Sequence, residues 1–170
     1  KYEIINCTRP GANLEQIPFP DPNSVKENDL VLIQCLGNDL FRKKDTTQGW
    51  LTCSDYEPRH SIFGKINTLR EKLREYSSPI YVIDIIPRLF CVSISARSAW
   101  LLERFQQRAN IRLHSALKAV GIVVIDHAKY LGRSRSWVKA NYLSLYHDPI
   151  HLKSDAYNTI IKEIIAKHFH

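Results

Sequence analysis

The sequence predicts an α/β fold with a largely parallel sheet, and two features of the chain carry that expectation. Three short runs, Asp29 to Cys35, Ile80 to Ile86 and Ile122 to Asp126, are apolar nearly throughout and bounded by turn residues, the pattern of strands covered on both faces. Between them lie longer segments of helical period. Strands that alternate with helices join through crossover connections, which place neighbouring strands in parallel. The length of 170 residues, with 44% hydrophobic and 24% charged residues, suits one domain spanning 1–170 with a substantial core.

Taken in order, Tyr2 to Asn6 reads as a first strand that runs into Cys7-Thr8-Arg9-Pro10-Gly11-Ala12-Asn13, where proline and glycine mark a turn. Ile17-Pro18-Phe19-Pro20-Asp21-Pro22 carries too many prolines for a helix or a central strand and reads as a connector. The strand at Asp29 to Cys35 ends at Gly37-Asn38-Asp39, and the polar stretch from Arg42 to His60 reads as an irregular surface excursion. Ile62, Ile66, Leu69 and Leu73 are spaced four, three and four residues apart, an amphipathic stripe that Ser77-Ser78-Pro79 ends. After the strand at Ile80 to Ile86, closed by Pro87-Arg88, a helix is expected from about Ser98 to Val120, with Trp100, Leu101, Phe105, Leu113 and Leu117 on its inner face. The last strand is followed by a closing helix from Asp155 to His168. In a parallel sheet ligands sit beyond the C-terminal ends of the strands. Thr8 to Asn13, Gly37 to Asp39 and Pro87-Arg88 should therefore gather on one edge.

Composition narrows the function. No apolar run approaches the eighteen or so residues of a membrane span, and Lys1 to Ile5 shows neither a signal-peptide pattern nor an initiating methionine, as in an excised domain. Cys7, Cys35, Cys53 and Cys91 are widely separated, which points to free thiols in a reducing, cytoplasmic compartment. No His/Cys/carboxylate spacing suggests a metal, and no glycine-rich phosphate loop suggests a nucleotide, so no cofactor is expected. His60, His114, His127, His147, His168 and His170 are scattered and carry no assigned role. The formal net charge of +7 favours contact with nucleic acid or an anionic surface.

The most informative stretch is Asp148-Pro149-Ile150-His151-Leu152. A carboxylate three residues before an imidazole can share a loop with it, so that Asp148 orients His151 and His151 acts as a general base. Asp-Pro is also a common turn opener, and the same residues would serve simply to start the final helix.

The order of motifs resembles the SGNH (GDSL) hydrolase superfamily over nearly the whole chain. Asn6-Cys7-Thr8-Arg9-Pro10-Gly11-Ala12 looks like the family's second motif, Leu36-Gly37-Asn38-Asp39 like the third, with Leu36 where glycine is usual, and Asp148 to Leu152 like the fourth. Ile85-Ile86-Pro87-Arg88 is similar to the strand end between the third and fourth motifs. The resemblance implies a three-layer α/β/α domain of flavodoxin-like strand order that hydrolyses a carboxylic ester, with a carbohydrate or lipid ester as substrate. It assigns Gly11 and Asn38 to the oxyanion hole, His151 to the base and Asp148 to its orientation. Acyl transfer develops charge on a carbonyl oxygen, which is why such a site needs preorganised donors.

The first family motif, a serine in a Gly-Asp-Ser setting after a central strand, is absent from these 170 residues. A truncated hydrolase and a diverged, non-catalytic module both fit that departure. For the second, residues 97 to 139 hold nine cations against Glu103 and Asp126. Arg104, Arg108 and Arg112 recur every four residues, and Arg133 and Arg135 flank Trp137, a surface suited to RNA or another polyanion.

Overall fold

The computed structural model of the chain describes residues 11–43, 56–86, 88, 96–130, 142–146 and 151–169, together with the single residues 3, 5, 7 and 9. Five strands and five α-helices are described: β1 Val31–Gln34, β2 Phe41–Lys43, β3 Tyr56–Pro58, α1 Ile62–Leu73, β4 Ile80–Ile83, α2 Ala96–Lys118, β5 Val123–Ile125, α3 His127–Tyr130, α4 Tyr142–Leu145 and α5 Ser154–Phe169.

The expected parallel sheet is present. It has the order β1-β4-β5, with Val31 opposite Ile80 and Tyr81 opposite Val123, both pairings parallel. Alternation along the strands sends side chains to opposite faces. Ile33, Ile80 and Val82 join one apolar cluster with the inner residues of α1 and α2, and Tyr81, Ile83 and Ile125 join another with Ile160 and Ile164 of α5. The central strand β4 is buried at all four positions, whereas in β1 only Ile33 is.

Helix α1 follows the sequence reading closely. Ile62, Ile66, Leu69 and Leu73 are all at most 1% exposed, and the helix closes at Arg74, just ahead of the Ser77-Ser78-Pro79 stop. Helix α5 likewise buries Ile160 and Ile164 while Ile161 remains 37% exposed.

Four expectations are corrected. The stretch from Arg42 to His60 is not wholly irregular, because Phe41–Lys43 pairs with Tyr56–Pro58 as an antiparallel ladder, with 44–55 outside the described residues. Phe41 anchors that ladder by packing its ring against Phe105. The first strand is not formed at Glu3 or Ile5, and Ile5 is 79% exposed; Tyr2, Ile4 and Asn6 lie outside the described residues. The inner face of α2 buries Phe105, Leu113 and Leu117 as expected but not Trp100 and Leu101. Trp100 and Leu101 are 55% and 52% exposed, and the buried side is Leu102, Phe105, Gln106, Ala109, Asn110, Leu113, Ala116 and Leu117. Finally, β4 stops at Ile83, and Asp84 begins an irregular exit from the sheet.

The last two corrections share a cause. Once the chain leaves the sheet, the backbone groups of the buried residues Ile85 and Arg88 need hydrogen-bond partners from elsewhere. Two amides of α2, one turn apart, supply them. Asn110 accepts from Ile85 N at 2.8 Å and donates to Ile85 O at 2.8 Å, and Gln106 accepts from Arg88 N at 2.7 Å and donates to Arg88 O at 3.2 Å. These amides turn α2 so that a polar pair faces inward and Trp100 faces out.

Candidate active site

The edge expected to gather polar residues does so. Ala12 N donates to Arg9 O at 3.2 Å, closing a turn in which Gly11 takes φ +72°. A β-carbon on Gly11 would meet nothing within 4 Å, so the left-handed backbone, rather than crowding, is what favours glycine there. The next residue is tied to the Gly37-Asn38-Asp39 segment: Asn38 Nδ2 donates to Ala12 O at 3.1 Å. From the other side Arg88 donates to Asn38 Oδ1 at 2.9 Å. The three segments that follow the expected first strand, β1 and β4 thus meet at the Asn38 amide, which is itself exposed. Of the two hydrogens on that amide, Ala12 takes one, and the other has no acceptor among the described residues.

Asp39 holds this arrangement from below. Fully buried, it accepts from Leu14 N at 2.9 Å and from Lys65 Nζ at 2.5 Å. Lys65 also reaches Glu15 at 2.8 Å. Burial works against the Lys65 charge, but its hydrogen bonds to Asp39 and Glu15 outweigh that and raise its pKa. One carboxylate therefore links the Gly-Asn-Asp loop, the segment after Gly11 and helix α1.

Leu36, standing where the resembled family has glycine, adopts φ +70°. Left-handed backbone is costly for a residue with a β-carbon. The side chain is only 1% exposed within the apolar cluster of α1 and α2, and that burial offsets the strain.

His151 is exposed and immediately precedes Leu152, which forms an isolated antiparallel bridge with Tyr146 just ahead of α5. Lys153 N donates to Leu145 O at 2.8 Å beside that bridge. Asp148 lies outside the described residues, as do His147, Arg133, Arg135 and Trp137. Further along α5, Tyr157 OH meets Gln34 Nε2 at 3.4 Å at the end of β1, which brings the start of α5 to the strand end from which the Asn38 loop leaves.

A second constellation escaped the sequence reading. Asp84, just beyond β4, is fully buried, and its Oδ1 lies 2.5 Å from Nδ1 of His127, itself 1% exposed, just beyond β5. His127 N also donates to Asp84 Oδ1 at 3.2 Å. On α2, His114 Nε2 stands 3.5 Å from Asp84 Oδ2. Burial alone would raise the Asp84 pKa, but His114 and His127 overcome it and hold the group at about 2. Of these two, His127 has the better geometry, since 3.5 Å is long for a hydrogen bond. Asp126 brings a third ligand-type atom within 4.8 Å of the pair. As arranged, the Asp84 and His127 atoms share a proton, being closer than the roughly 3.3 Å that two donors keep around a tetrahedral zinc. Among the described residues, His127 Nε2 is buried without a hydrogen-bond partner. Only Asp126 and His127 are neighbours in sequence; Asp84 and His114 join them because the ends of β4 and β5 lie side by side against α2.

Among the described residues Cys7 and Cys35 are free cysteines, and burial pushes the Cys35 thiol well above its usual range. No helix among them is long and apolar enough to cross a membrane. The fold and this edge define the chain as an α/β protein with a parallel sheet and a polar cluster at the strand ends. No protein-family model and no curated protein matches the chain.

Proposed function

We propose that this chain is the larger part of an SGNH-type ester hydrolase domain of three-layer α/β/α architecture. In this reading Gly11 and Asn38 form the donor side of an oxyanion hole, His151 is the general base and Asp148 orients it. The observation that carries the proposal is the junction at Asn38. Its amide is pinned by Ala12 and Arg88 with one N–H to spare, at the sheet edge where an α/β fold binds ligands. An acyl transfer site needs a donor that is already fixed before charge develops on the carbonyl oxygen. A side chain held from both ends of its amide meets that need.

The nucleophile is the missing partner, since no serine of these 170 residues stands in a Gly-Asp-Ser setting. The resembled fold places that serine on a strand beside β1. Among the described residues β1 pairs only with β4, leaving its other edge for such a strand. The reaction would then follow the Ser–His scheme. The hydroxyl attacks the ester carbonyl as His151 takes its proton, the oxyanion is held by Asn38 Nδ2 and the backbone near Gly11, and the alcohol departs with the proton from His151. The product acyl-serine is released by water activated by the same imidazole.

The test is hydrolysis of p-nitrophenyl acetate by two proteins: the 170-residue chain, and the chain joined behind a Gly-Asp-Ser strand and its following helix. The joined protein should turn over and be labelled by a fluorophosphonate probe, and the chain alone should do neither. Turnover that survives His151→Ala would refute the assigned base.

A further inference from the structure

The outward face of α2 belongs to neither the Asn38 edge nor the core. Arg97, Trp100, Leu101, Arg104, Arg108, Ile111, Arg112 and Lys118 are all exposed there. At 3.6 residues per turn they fall on one arc of about 120°, and Arg97, Arg104 and Arg108 lie within about 20° of its midline. From Arg97 to Arg112 the ridge runs roughly 22 Å. The only acid of α2, Glu103, projects well off this arc. Trp100 is 55% exposed, and the Arg104 guanidinium sits over its ring, 5.7 Å from the centroid.

We propose that this face binds single-stranded nucleic acid, with Arg97, Arg104, Arg108 and Arg112 contacting successive phosphates and Trp100 stacking on a base. A line of guanidinium groups with an aromatic beside it is the combination that single strands require, because phosphate contacts provide affinity and every base has a face to stack. The layout argues against a lipid surface. An interfacial helix gathers its apolar residues in one sector and keeps its cations at the flanks. Here the order is reversed: arginines hold the midline, with Trp100 and Ile111 on one flank and Leu101 on the other, so insertion would sink Arg104 and Arg108 deepest. The same midline charge repels a second copy of the helix.

The experiment is fluorescence anisotropy of a labelled oligouridine 12-mer with the full chain, from 50 to 300 mM KCl. Binding should weaken with a log–log slope of roughly −2 to −3, about −0.7 for each phosphate contacted. Arg104→Gln with Arg108→Gln should flatten that slope by about 1.4. Trp100→Ala should weaken binding roughly 5- to 150-fold without changing the slope. All three positions are exposed, so the variants should melt with the parent by circular dichroism. No binding at 50 mM KCl would overturn the proposal, as would binding indifferent to these substitutions. Tighter association with phosphatidylcholine–phosphatidylserine vesicles than with the oligonucleotide, or equal affinity for a duplex combined with a neutral Trp100→Ala, would overturn it as well.

Discussion

Replacing Asp39 tests how the Asn38 edge is held together. Asp39→Ala removes a fully buried carboxylate with two partners. Leu14 N becomes a buried donor without an acceptor, which costs about 1–3 kcal/mol. Lys65, with 18% of its side chain exposed, loses its inner partner and keeps Glu15, so its part of the cost is the loss of one charge-assisted hydrogen bond, about 1.5–3 kcal/mol. Together these give about 2.5–6 kcal/mol, centred on the roughly 3–5 kcal/mol found when one member of a buried ion pair is deleted. For a chain of this size a loss of about 3–5 kcal/mol corresponds to a fall in Tm of about 6–20 °C. Asp39→Asn keeps an acceptor for Leu14 N and should lose roughly half as much. Adding Lys65→Met to Asp39→Ala should recover stability, because the stranded cation is removed. Urea unfolding of the four proteins measures all of this as a double-mutant cycle. A loss below about 1 kcal/mol for Asp39→Ala, or additive effects of the two sites, would refute the linkage described here.

Acid should weaken the fold through Asp84. Its carboxyl titrates near pH 2 when folded and near 3.9 when unfolded, so its contribution is complete above about pH 4 and disappears as pH falls toward 2. The shift corresponds to about 2–3 kcal/mol, and Asp84→Asn should flatten the stability profile between pH 4 and 2; an unchanged profile would show that other carboxylates govern acid unfolding. Leu36→Gly sets two effects against each other. Relief of the left-handed strain returns about 1–2 kcal/mol, while emptying a buried leucine site costs about 2–5 kcal/mol. The cavity should win by about 1–3 kcal/mol, and a stabilised variant would show that the burial of Leu36 contributes little.

The parts legible in the sequence were those set by local pattern. The stripe of Ile62, Ile66, Leu69 and Leu73 gave α1 because burial of one face at helical spacing needs no knowledge of the rest of the chain. The runs around Val31, Ile80 and Val123 gave the parallel strands for the same reason. Gly11, Asn38 and Arg88 were expected on one edge, and Asn38 joins Ala12 and Arg88 there. What pattern did not reveal was anything decided by two distant segments at once. Periodicity counted Trp100 and Leu101 as inner residues, but the unpaired backbone at Ile85 and Arg88 drew Asn110 and Gln106 inward instead. His127 looked like one of several scattered histidines until the ends of β4 and β5 set it against Asp84. The β2–β3 ladder joins segments with little hydrophobic alternation, so the Arg42 to His60 stretch read as a loop.

The measurement closest to the central claim is the kcat of the chain extended by a Gly-Asp-Ser strand, with and without Asn38→Ala, on p-nitrophenyl acetate. If the pinned Asn38 amide stabilises the oxyanion, kcat falls about 100- to 1000-fold while KM stays nearly constant. Unfolding measured in parallel shows that the variant remains folded. An Asn38→Ala protein that is folded and turns over at the parent rate would contradict the oxyanion assignment.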